Sequence, residues 1–248
     1  MPIGTELISC HIPQEDGYQA WRKSAIDAVT SNGTLEYRSK HARFSDLYFI
    51  HKYLSGSPHN KMLELGAWPT YLFLSFASIS DELVVSDSMQ WNSERKLVDV
   101  DVSPTSWLNE CNGIFPHVRG EVIDACDIPY EGYFDCVYSV SVLEHIKDDM
   151  AALKSMRRAL RPGGQLILTT EVNLFTSMDY QPDIYMRVYQ ADELIDLVES
   201  AGFRVSKDVL YADNQKIIDL MTPAIDNPSL LRHPYRHFVS CGISCEKI

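Results

Sequence analysis

From Lys61 onward the chain alternates short apolar runs with amphipathic helical stretches, and this alternation restricts its fold more than any other feature. Met62–Leu65, Leu83–Ser86, Glu121–Ile123, Phe134–Val140 and Gln165–Thr170 are brief segments rich in Val, Ile, Leu and aromatic residues, as buried strands are. Between the last two, Ala152, Leu153, Met156, Ala159 and Leu160 recur at helical spacing. Arg161-Pro162-Gly163-Gly164 then reads as a stop, because proline cannot continue the ladder and glycine suits a left-handed cap. Leu194, Leu197, Val198 and Ala201 line a further helix that ends at Gly202. Strands joined through helices require right-handed crossovers, so the expected fold class is α/β, a mostly parallel sheet with helices on both faces.

The two ends differ from this pattern. Trp21, Ala25, Ala28 and Val29, then Phe44, Leu47, Tyr48, His51 and Leu54, predict two helices ahead of the first strong strand. The expected division is an N-terminal helical extension or lid over 1–57 and one compact domain over 58–248, with insertions at 172–190 and 211–236. Phe203–Tyr211 and His237–Glu246 read as late strands, with a short helix at Lys216–Met221 between them. Lacking a full crossover helix, they predict an antiparallel last strand that closes a seven-stranded sheet.

Composition excludes several classes of function. A chain of 248 residues with 45% hydrophobic and 23% charged residues is globular in character. Its net charge of −12 repels a phosphate backbone, so no nucleic-acid partner is expected. The basic group Lys154, Arg157, Arg158 and Arg161 reads instead as the solvated end of one helix. Met1–Cys10 lacks the pattern of a signal peptide, and the strongest apolar stretch, Tyr71–Ile79, is far too short to span a bilayer. The six cysteines form no C-x-x-C pair, which predicts reduced thiols and a cytoplasmic protein with no membrane partner. No H-x-H or H-E-x-x-H spacing is present, so no metal is expected.

Three strand ends carry candidate chemistry. Met62-Leu63-Glu64-Leu65-Gly66-Ala67-Trp68-Pro69-Thr70-Tyr71 is a strand, a tight turn and a helix start, and such turns lie where open α/β sheets bind ligands. Asp87 follows Leu83–Ser86 about 20 positions beyond the glycine, where an acidic residue accepts hydrogen bonds from ribose hydroxyls. Ile123-Asp124-Ala125-Cys126-Asp127-Ile128-Pro129 delivers a carboxylate at a third strand end. Asp124 suits an adenine amino group and the Ala125 N–H a ring nitrogen, while Asp127 also suits a helix cap.

Together with Phe134-Asp135-Cys136-Val137-Tyr138-Ser139-Val140-Ser141-Val142-Leu143-Glu144-His145 and Leu160-Arg161-Pro162-Gly163-Gly164, these segments resemble the successive motifs of class I S-adenosylmethionine-dependent methyltransferases over roughly residues 58–205. The resemblance implies a Rossmann-like methyltransferase fold and S-adenosyl-L-methionine as cofactor. It implies a cofactor-binding set of Glu64, Gly66, Ala67, Trp68, Asp87, Ser88, Asp124, Ala125, Ser139 and Val140. The Gly66 turn would face the methionine part, Asp87 the ribose, and Asp124 with Ala125 the adenine. One departure stands out: the family usually carries G-x-G-x-G, and Trp68 occupies the central position here. That substitution argues against a nicotinamide enzyme, whose pyrophosphate needs close backbone approach, because the sulfonium cofactor has no phosphate.

The expected reaction is methyl transfer to oxygen or nitrogen of a small metabolite, a sugar or secondary-metabolite intermediate. His145 and Glu171 are the candidate catalytic residues, as general bases near strand ends or, for Glu171, as a group binding a polar acceptor. Phe175, Tyr180, Tyr185 and Tyr189 punctuate one insertion, and Trp21, Tyr37, Phe44 and Tyr48 the N-terminal helices; aromatics in either place could wall an acceptor cavity. The competing reading, motivated by Trp68, is a non-catalytic methyltransferase-like subunit or regulator. Oligomeric state is not legible in these features.

Overall fold

The computed structural model describes residues 4–7, 16–31, 44–54, 59–67, 72–90, 103–173, 177–183, 185–205 and 239–248. Ten strands form one sheet: β1 (Gly4–Leu7), β2 (His59–Leu65), β3 (Ser80–Asp87), β4 (Val118–Val122), β5 (Phe134–Val140), β6 (Leu160–Asn173), β7 (Met178–Gln181), β8 (Met186–Gln190), β9 (Phe203–Arg204) and β10 (Val239–Lys247). Seven of them make its spine in the order β1-β10-β6-β5-β2-β3-β4, and β7, β8 and β9 add to it, so the sheet is larger than the seven strands expected. The pairs β6–β5, β5–β2, β2–β3 and β3–β4 are parallel, and β10 runs antiparallel to β6, as the late strands predict. β1 was not foreseen: it pairs antiparallel with β10, from Gly4 opposite Ser244 to Leu7 opposite Cys241.

The five described helices are α1 (Tyr18–Ser31), α2 (Phe44–Leu54), α3 (Pro104–Ile114), α4 (Asp149–Ala159) and α5 (Ala191–Ser200). Alternation along the strands separates two cores. Leu63, Leu65, Val137, Leu166 and Leu168 meet Leu153 and Met156 of α4 and Leu194 and Val198 of α5. Met62, Leu83, Val85, Tyr138 and Ile167 meet Leu47, Phe49 and Ile50 of α2 and Trp107 of α3 on the opposite face. Helices therefore cover both faces, as the strand–helix alternation demands.

Local chemistry sets the helix ends. The Asp148 side chain accepts from the Ala151 N–H at 2.9 Å and caps α4, whose buried stripe is Ala152, Leu153, Ser155, Met156 and Ala159. Gln190 and Glu193 form a capping box at α5. The end of α4 differs from expectation. Leu160 is already extended and pairs with Phe134, so the helix stops before the Pro-Gly-Gly sequence, and left-handed Gly163 (φ +69°) falls inside the irregular start of β6. After β2, Leu72–Ser75 and Ala77–Ile79 are short 3₁₀ turns where the sequence suggested a helix. The expected helix at 216–221 and the insertion at 211–236 lie outside the described residues.

At the β10 edge, the Ser240 hydroxyl donates to buried Asp46 of α2, and the Phe49 ring lies directly over Gly242. A Cβ on Gly242 would stand 2.5 Å from the fully buried Phe49 ring. Gly242→Ala is therefore expected to destabilise the fold by about 1–3 kcal/mol through overpacking, read as a lower urea midpoint with an unchanged m-value.

Candidate active site

The carboxyl ends of β2, β3, β4 and β5 surround a cavity of about 430 Å³. Leu65 and Gly66 line it from β2, Asp87, Ser88 and Gln90 from β3, and Ile123, Asp124, Ala125 and Cys126 from the chain after β4. Val142 and the His145–Asp148 segment follow β5, while Tyr180, Pro182 and Tyr185 come from the β7–β8 hairpin.

Gly66 adopts φ +73°, and a Cβ built there would stand 2.4 Å from Val142 Cγ2. Only glycine satisfies both the left-handed backbone and the close approach. The turn is tied to β3 by the Ala67 N–H donating to Ser86 O at 3.0 Å and the Ser86 hydroxyl donating to Glu64 O at 2.7 Å. Asp87, 4% exposed, accepts from the Met89 N–H at 2.8 Å, and exposed Asp124 accepts from the Cys126 N–H at 2.9 Å. Each carboxylate thereby shapes the loop that carries it to the cavity.

His145 ends a 3₁₀ turn that is anchored where the Thr170 hydroxyl donates to fully buried Glu144 at 2.8 Å. Its Nδ1 lies 2.7 Å from the Tyr185 carbonyl oxygen. A carbonyl only accepts, so Nδ1 carries the proton and the neutral ring presents Nε2 as its acceptor. Burial, with Asp124 and Asp148 nearby, pushes the Cys126 thiol up to about 11, which makes it a neutral wall group rather than a nucleophile. The described non-glycine residues with positive φ are Met89 (+59°), Ser141 (+53°) and Tyr185 (+51°). All three lie in or beside the cavity wall, where such strain commonly accompanies function.

Among the residues singled out from sequence, Gly66, Asp87, Ser88, Asp124, Ala125 and His145 converge on this cavity. Ala67, Ser139 and Val140 are not among its described lining residues, and Ala67 and Ser139 are buried. Glu171 sits within β6, which runs on to Asn173, and it is 3% exposed opposite Ser240 rather than in the cavity wall. Trp68, Tyr37 and Phe175 lie outside the described residues. Sequence reasoning missed Gln90, Val142, Lys147, Asp148 and Pro182. Asp148 left a signal as the N-cap of α4, whereas Val142 and Pro182 contribute shape alone. Among the described residues no group of His, Cys, Asp and Glu is arranged to hold a metal ion.

Glu64 is also absent from the wall: it lies 2% exposed beneath it and accepts from the Tyr138 hydroxyl at 2.8 Å. Burial raises its carboxyl from the ordinary 4.5 to about 7, against the lowering effect of that hydrogen bond. The folded state then binds the proton more tightly than the unfolded chain. The stability this contributes is complete below pH 4.5 and is lost as pH rises to about 7. Glu64→Gln is expected to remove this decline, so that the wild-type minus variant difference in unfolding free energy falls across that window in urea titrations.

Residues 85–168 match the family model described as a methyltransferase domain. The O-methyltransferase cnsE of Penicillium expansum is 31% identical over 96 residues, covering 36% of this chain and 34% of that protein. The chain matches 34% or less of the length of the curated relatives compared. Among solved structures, the [4+2]-cyclase SpnF superposes with a TM-score of 0.59 at 17% identity, covering 92% of this chain and 94% of its own. A Burkholderia thailandensis 1,6-didemethyltoxoflavin-N1-methyltransferase, bound to 1,6-didemethyltoxoflavin and S-adenosylhomocysteine, superposes with a TM-score of 0.56 at 16% identity, covering 93% and 88%. The cavity thus sits at the carboxyl edge of a sheet whose residues 85–168 match a methyltransferase-domain model, and the chain shares the fold of solved S-adenosylmethionine-dependent methyltransferases.

Proposed function

We propose that this protein is an S-adenosylmethionine-dependent methyltransferase acting on oxygen or nitrogen of a small metabolite. The observation that carries this reading is convergence: neighbouring strand ends deliver Gly66, Asp87 and Asp124–Ala125 to one cavity. The chemistry of that set suits the cofactor. Buried Asp87 offers acceptor oxygens to ribose hydroxyls, Asp124 and the Ala125 N–H offer complementary groups to an adenine edge, and Leu65 with Gly66 leaves room for the methionine portion.

Bound there, the cofactor would supply a methyl group already activated by a sulfonium. The chain's own task is to align an acceptor and exclude water. His145, held by Tyr185 with Nε2 as its acceptor, suits proton removal from a hydroxyl or protonated amine near neutral pH. Glu171, buried within β6, is assigned no proton transfer in this reading. Tyr180, Pro182 and Tyr185 form a largely apolar side of the cavity suited to a small organic acceptor. The net charge of −12 disfavours a polyanionic one, and the toxoflavin-pathway neighbour's bound ligand is a small molecule.

Calorimetry with S-adenosylhomocysteine is expected to show one site per chain, and Asp87→Ala to weaken it about tenfold or more, since loss of the buried carboxylate leaves the ribose hydroxyls unpaired. No heat with either S-adenosylhomocysteine or S-adenosylmethionine at high concentration would overturn the assignment. Transfer of labelled methyl from S-adenosylmethionine to members of a hydroxyl- and amine-bearing acceptor panel is the corresponding test of catalysis, with His145→Gln expected to lower turnover more than cofactor affinity.

A further inference from the structure

The β7–β8 hairpin reaches the cavity at Tyr180, Pro182 and Tyr185, and among the described residues it pairs with the spine of the sheet where Val172 and Asn173 of β6 meet Tyr189 and Gln190. What holds its tip against the opposite wall is Arg187. Its guanidinium donates to Asp149 Oδ2 at 2.5 Å and to the carbonyl oxygens of Ile146 at 3.0 Å and Lys147 at 2.5 Å. The side chains of this ion pair are only 15% and 13% exposed, so solvent screens it little. The same group lies 5.6 Å from the ring centroid of Tyr180 and 5.7 Å from that of Tyr189, whose hydroxyl donates to Asp149 Oδ2 at 3.0 Å.

Apart from Tyr189, each partner is part of the cavity or adjoins it. Tyr180, Ile146 and Lys147 line the wall, Asp149 begins α4 directly after wall residue Asp148, and Arg187 lies two residues beyond Tyr185. Tyr185, at φ +51°, gives its carbonyl to His145 Nδ1. That strained conformation persists only if its surroundings impose it, and the Arg187 fork is positioned to do so.

We propose that Arg187 is a positioning residue that fixes the hairpin against the 145–149 segment and thereby sets the tautomer and orientation of His145. A planar guanidinium bridges one carboxylate and two carbonyls at once, which a lysine ammonium on a flexible stem does not reproduce. The fork thus links the hairpin side of the cavity to the segment that carries His145. The part of this inference that concerns ligand affinity rests on the proposed methyltransferase reading; the part that concerns His145 does not.

Nitrogen-15 NMR of histidine side chains at about pH 8.5, above the ordinary imidazole value of about 6.5, reads the neutral tautomer directly, with His145 assigned by its loss in His145→Gln. Wild type is expected to show His145 in the Nδ1–H form, and Arg187→Ala to shift it toward the Nε2–H form. In calorimetry with S-adenosylhomocysteine, at a temperature where circular dichroism shows both proteins folded, Arg187→Ala is expected to raise the Kd about tenfold. Arg187→Lys keeps the charge without the fork, is expected to move both readouts in the same direction, and decides the matter if the alanine variant does not fold. A retained Nδ1–H tautomer overturns the proposal, as does a Kd within about twofold of wild type. Absence of heat with wild type would instead overturn the functional reading, and the tautomer measurement would still judge Arg187.

Discussion

The cavity depends first on two strands approaching so closely that one residue between them has no side chain. Gly66 leaves β2 in a left-handed turn while Val142, just past neighbouring β5, occupies the space a Cβ would need. Parallel pairing of β2 with both β3 and β5 makes this the central crevice of the sheet. With hydrogen in place of a methyl group, Leu65 and Gly66 remain exposed to the cavity instead of being sealed behind a side chain. Asp87 and Asp124 reach the same space because β3 and β4 end at the level where β2 turns.

Around this crevice the chain departs from ordinary folding economy. Met89, Ser141 and Tyr185 take left-handed conformations that favour glycine, and Ser139, Ser141 and Thr169 bury hydroxyls with no hydrogen-bond partner among the described residues. Beneath it, Glu64 and Tyr138 share a proton-bearing contact inside an otherwise apolar layer, and burial pushes the hydroxyl of Tyr138 up as well as the carboxyl of Glu64. Each feature carries a stability penalty. Their concentration at the carboxyl ends of β2, β5 and β6, with well-packed apolar layers on either side, is the distribution expected when a scaffold supports a strained site.

Legibility in the sequence followed how local each determinant is. The alternation of strands and helices was readable because both periodicities are written in consecutive residues, and Gly66, Asp87 and Asp124 were readable because each punctuates a strand end. Glu171 looked like a strand end as well, but pairing with β10 carries β6 on to Asn173 and buries it. Such pairing between distant segments leaves no local mark, and β1 escaped notice for the same reason. The end of α4 falls just ahead of the expected stop at Arg161–Gly164, because Leu160 is already extended and pairs with Phe134, so Gly163 does not cap the helix. Val142 and Pro182 act through shape, which no composition rule exposes. The tyrosines of 178–190 were visible as aromatics, but their hairpin, and the arginine that fixes it, appear only once β8 is seen beside β6.

That division between legible scaffold and hidden wall has a chemical consequence. A solved neighbour with this fold is named a [4+2]-cyclase and another an N-methyltransferase, so the sheet and its glycine crevice are compatible with different reactions. What distinguishes one chemistry from another must lie in the segments that close the cavity on the side away from β3 and β4. In this chain that side is built from His145, Ile146 and Lys147 facing Tyr180, Pro182 and Tyr185. Its two halves are bound to each other by an imidazole–carbonyl contact and a guanidinium fork, and among the described residues the hairpin's strand ladder with β6 has two register pairs. The arrangement lets the hairpin vary in sequence and shape without disturbing the parallel core, provided the polar links across the cavity are kept. In the proposed reading the crevice in the sheet takes the cofactor and the hairpin shapes the acceptor side, with Arg187 bridging that hairpin to the segment that carries His145.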